Sequence, residues 1–88
     1  KIKKLTFTEE HELGALPDRI KALENAKIEL GKALSDPDLF TRDAAAYDTA
    51  AQKLAEVDAA IASAEDRWFD LEARRESLIE DNDADATR

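Results

Sequence analysis

Two rows of apolar residues, one on each side of a short proline-containing bend, repeat at steps of three and four and limit what this chain can become. The first row is Leu13, Leu16, Ile20, Leu23, Leu30 and Leu34, with Lys27 standing in register at its one gap. The second is Tyr47, Ala50, Leu54, Val57, Ile61, Ala64, Trp68, Leu71, Arg75 and Leu78, without a slip. A seam that repeats every ~3.5 residues needs a second helix to cover it. Folding the rows back on each other about Pro37–Phe40 matches Leu34 to Tyr47, Lys27 to Leu54, Leu23 to Val57, Ile20 to Ile61 and Leu13 to Trp68, and both periodicities survive. The sequence therefore predicts an all-α fold, an antiparallel two-helix coiled coil (a helical hairpin) that pairs with itself.

Composition agrees with that reading. Good helix formers dominate, and only two glycines and two prolines interrupt them. At 88 residues the chain is one small folding unit. Charged residues make up 39% of it, as a rod with most of its surface in water requires. No apolar run approaches the ~20 residues of a membrane span, and the basic start at Lys1 is not followed by the apolar stretch of a signal peptide. The absence of cysteine fits a reducing compartment, so a cytoplasmic location and no membrane contact are expected. A start without methionine suggests a fragment of a longer protein.

Local punctuation divides the chain. Residues 1–8 read as an entry segment, and Thr6-Phe7-Thr8-Glu9 has the capping-box spacing, so a helix is expected from about residue 9 to 34. Pro17 removes a backbone donor and biases Leu16 away from helical angles, so a kink or short break is expected over Gly14–Pro17, leaving a short kinked N-terminal helix. Ser35-Asp36-Pro37-Asp38 stops the helix, the bend spans 35–42 with Leu39 and Phe40 as an apolar plug, and Asp43 caps a second helix over 43–80. That helix overruns the first, and Leu5 and Phe7 are the candidates to cover Leu71 and Leu78. Residues 81–88 lack apolar periodicity and read as a disordered acidic tail.

Catalytic chemistry finds few materials here. His11 has no second histidine and no cysteine beside it, so no catalytic residue, metal site or cofactor is expected. Asp81, Asp83 and Asp85 copy the first ligand spacings of a calcium loop, but Ala86 stands where its glycine belongs. There is no phosphate-binding glycine loop, so the chain by itself is not expected to be an enzyme. Lys27 and Arg75 on the seams read as outward-reaching side chains that fix register, or as contacts for a partner. Trp68 reads as core at the junction near Pro17, or as a base-stacking platform.

Three stretches resemble a known family. Lys4-Leu5-Thr6-Phe7-Thr8-Glu9-Glu10-His11-Glu12-Leu13 with Leu16-Pro17-Asp18-Arg19-Ile20, then Leu34-Ser35-Asp36-Pro37-Asp38-Leu39-Phe40, then Glu65-Asp66-Arg67-Trp68-Phe69-Asp70-Leu71-Glu72, resemble in order and separation the C-terminal domain of ABC-F family ATPases of the Uup type. The resemblance implies a parent protein with two cytoplasmic ATP-binding cassettes and no membrane domain, carrying this coiled coil as a C-terminal appendage. ATP and magnesium would belong to those cassettes. In that branch the appendage is associated with DNA binding, whereas the wider family acts on ribosomes.

A net charge of −8 provides no long-range attraction to phosphate, so a nucleic-acid contact has to be a local patch. The hairpin register returns Lys1, Lys3 and Lys4 beside Arg67, Arg74 and Arg75 at the open end, and these six are the candidate nucleic-acid-binding residues. Glu72, Glu76 and Glu80 are interleaved with them, so ordinary surface ion pairing is the competing reading. The expected partner is DNA or another nucleic acid, with the ribosome or the parent's ATPase cassettes as the alternative, and the chain is expected to be monomeric.

Overall fold

The computed structural model describes residues 4–86. Three helices follow one another: α1 (Phe7–Leu34), α2 (Leu39–Arg42) and α3 (Ala44–Ala86). Long α1 and α3 pack antiparallel, α2 forms part of the bend, and the resulting rod measures 70 × 18 × 14 Å. The all-α hairpin read from the two apolar rows is the observed fold.

The caps are those the sequence encodes. Thr6 Oγ1 accepts from the Glu9 backbone N–H at 3.1 Å while the Glu9 carboxylate accepts from the Thr6 N–H at 3.0 Å. With Thr6 as the cap, α1 begins at Phe7, two residues before the expected start. At the bend, Ser35 Oγ donates to the Gly31 carbonyl and Asp36 accepts from the Asp38 N–H, replacing helical bonds that Pro37 cannot make. Asp43 accepts from the Ala46 N–H at 3.0 Å and so starts α3.

Two expectations are corrected. No break occurs at Gly14–Pro17, because α1 runs as one helix through Pro17. Leu13 and Leu16 before the proline are buried and Ile20 after it packs on the same cluster, and this packing outweighs the one lost backbone bond. Nor does the second helix stop near Glu80: α3 continues to Ala86, since nothing between Asp81 and Ala86 breaks a helix. Residues 87 and 88 of the expected tail lie outside the described residues.

The core is concentrated at the open end. Leu5, Leu13, Leu16, Ala64 and Leu71 form one buried cluster, against which Ile20, Trp68 and Leu78 pack in part. Leu5 provides the cover expected of it, whereas Phe7 does not: it is 84% exposed and stacks on the His11 ring. Toward the bend the seam is only half-buried, and an open groove of about 530 Å³ lies beside Leu30, Ala46 and Ala50. Lys27 departs from its expected place opposite Leu54. It is exposed, with Nζ 2.9 Å from Asp58, and half-buried Ala26 continues the row between Leu23 and Leu30. The long side chain carries its ammonium out to Asp58 and water, which leaves the small Ala26 to fill the seam at this level.

Candidate nucleic-acid interface

The open end is set by the docking of Leu5 and Leu71. Leu5 sits in the extended residues before α1, and its burial with Leu71 brings the start of α1 beside the second half of α3. Exposed Lys4 immediately precedes it and therefore lies at this same end. Lys1 and Lys3, the other two predicted cations of the entry segment, lie outside the described residues.

Each of the three arginines meets a carboxylate. Arg67 makes a two-pronged contact with Glu12, Nε at 2.7 Å and Nη2 at 3.0 Å, the planar fork geometry that suits both carboxylate and phosphate. Arg74 reaches Glu9 at 3.2 Å. Arg75 leaves the seam and pairs along its own helix with Glu72 at 2.8 Å, so this cation does not cross to α1. Sequence reasoning places the arginines together and puts Glu72 among the acids around them. It misses Glu9 and Glu12, although positions 12 and 67 flank the predicted Leu13–Trp68 match, where oppositely charged residues of a coiled coil meet.

Glu9 has two roles. One oxygen takes the Thr6 N–H and closes the helix cap, and the other faces Arg74. The Thr6 backbone bond, seconded by the cations of Arg74 and Arg67, holds its carboxyl below the usual range against the opposing effect of desolvation. The Arg67 hydrogen bond lowers Glu12 in the same sense, and Glu12 in turn raises Arg67. Both carboxylates are thus charged at neutral pH.

Aromatic groups sit beside the cations. Trp68 is half-buried against the core cluster and meets Phe69 edge to face at 5.2 Å, while Phe69 is 61% exposed. Trp68 accordingly takes the core position, and the ring open to a partner is its neighbour. A smaller open groove of about 210 Å³ runs between Glu12, Leu16 and Arg19 on α1 and Ala60, Ser63 and Arg67 on α3. Among the described residues no group of acidic or histidine side chains is arranged to hold a metal ion, and no helix is long and apolar enough to cross a membrane.

Residues 4–73 match the family model described as the ABC transporter C-terminal domain, a span that takes in α1, the bend and the Arg67–Glu12 bridge. No curated protein and no solved structure gives a significant match.

Proposed function

Because the chain belongs to the ABC transporter C-terminal domain family, and so is an accessory domain of an ABC protein, we propose that it is the non-catalytic arm of a cytoplasmic ATPase of the ABC-F kind and that its open end contacts nucleic-acid phosphate. The observation that carries this reading is the gathering of Lys4, Arg67, Arg74 and Arg75 from two distant stretches of sequence beside the start of α1. The arginine side chains remain between 46% and 60% exposed, so each guanidinium is open to a phosphate approaching from solvent. ATP and magnesium belong to the parent's cassettes; this arm contributes only contacts.

A second reading, an arm that positions the cassettes or docks on a partner such as the ribosome, is favoured by the net charge of −8 and by the pairing of all three arginines with acids. Titration of labelled duplex and branched DNA, and of RNA, at two salt concentrations separates them. Phosphate contacts weaken steeply with salt, by about 0.9 in the log–log slope per phosphate on duplex DNA. Salt-sensitive binding supports the nucleic-acid reading; no binding at low salt removes it in favour of the protein-contact arm.

A further inference from the structure

From the two inter-helix bridges we infer that the open end is a masked phosphate site, in which Glu12 and Glu9 occupy Arg67 and Arg74 until nucleic-acid phosphate replaces them. This inference rests on the nucleic-acid reading above and adds to it what limits the affinity. Arg67 presents Nε and Nη2 to Glu12 in the same two-pronged arrangement it would offer a phosphate. The acid and the ligand therefore compete for one edge of one side chain, and binding is an exchange of partners. Arg74 holds Glu9 through a single, longer contact of 3.2 Å and is 60% exposed, so it is the easier of the two to release.

The exchange has little structural cost, because Glu9 keeps its second role. Its other oxygen still accepts the Thr6 N–H when Arg74 leaves, so α1 remains capped with phosphate bound. Leu5 and Leu71, which bring the two helices together at this end, are held by apolar packing that does not depend on the bridges. The mask can thus open while the hairpin stays closed. It also accounts for an acidic chain carrying a phosphate site: the site is strong only where a dense row of phosphates outcompetes two tethered carboxylates.

Glutamine is the substitution that isolates the mask. Glu12→Gln and Glu9→Gln remove the charge but keep the shape, and a glutamine at position 9 can still complete the capping box. Glu10→Gln removes the same charge from an exposed position outside both bridges and reports the effect of net charge alone. Wild-type chain, the three single variants and Glu9→Gln/Glu12→Gln are titrated against labelled duplex DNA at several salt concentrations, with a thermal melt confirming that each is folded. Glu12→Gln should bind about fivefold tighter, the upper end of what an exposed ion pair withholds. The double variant should bind tighter still with the salt slope of wild type, because the same phosphates are engaged in both, while Glu10→Gln stays within about twofold of wild type. Equal affinity across all five chains would overturn the mask and leave the nucleic-acid reading standing. A gain in Glu10→Gln as large as in Glu12→Gln would overturn it in favour of simple charge. If none of the five binds at low salt, the nucleic-acid reading fails and the mask fails with it.

Discussion

Trp68 illustrates how a residue can be placed correctly and still have its surroundings read in part. Its heptad position sets it against Leu13, and it does pack on the cluster containing Leu13, Leu16 and Leu71. The Phe7 expected beyond it faces solvent instead, leaving the indole half-buried and in edge contact with Phe69. Trp68→Ala should therefore cost about 2–3 kcal/mol, less than for a fully enclosed indole but a large fraction of what so small a domain has. A thermal melt of the variant, with the wild-type emission maximum, checks this. An unchanged melt with water-like, quencher-accessible emission would instead make Trp68 a stacking platform. Lys27 teaches the converse lesson: its Asp58 partner lies off the strict heptad, so nothing in the apolar row announces it. The Asp58 hydrogen bond raises Lys27 above its ordinary value, which keeps it charged throughout the physiological range.

At the scale of elements, the helices are legible because two independent apolar rows and one bend agree, and both the Thr6–Glu9 and Asp43 caps stand where their spacing puts them. What local signals cannot give is the outcome of competition with packing. Proline alone predicts a break, but Leu13 and Leu16 before it and Ile20 after it pack on one cluster and hold α1 together. The tail lacks an apolar row, but helix propagates through Ala86 without one. The cross-helix bridges are partly legible: the arginines can be read from the register, and their partners on α1 escape it. Those bridges make the pairing of α1 with α3 sensitive to acid. Glu9 and Glu12 have folded-state values below their unfolded ones, so their contribution is present above the unfolded glutamate value of about 4.3 and is lost as pH falls through the folded values. Urea midpoints should accordingly be flat from pH 7 to about 5 and drop below about 4, and Glu12→Gln should flatten that drop. A wild-type midpoint that rises on acidification, or a variant that tracks wild type throughout, would contradict a stabilising role for the bridges.

The whole molecule is a rod with two unlike ends. Near the entry segment it is packed, charged and cross-linked by ion pairs; toward the bend its seam is half-buried and its distal Phe40, 57% exposed, leans edge-on against Tyr47. An accessory arm in an ABC protein can act through either end, and the cations Lys4, Arg67, Arg74 and Arg75 favour contact through the open one. The most direct test is an amide map of the isotopically labelled chain titrated with duplex DNA at low salt. Perturbations should concentrate in residues 4–12 and 67–75 and fade on adding salt, with the bend at residues 36–43 unmoved. Perturbations centred on the bend, or none at either end, would contradict contact through the open end.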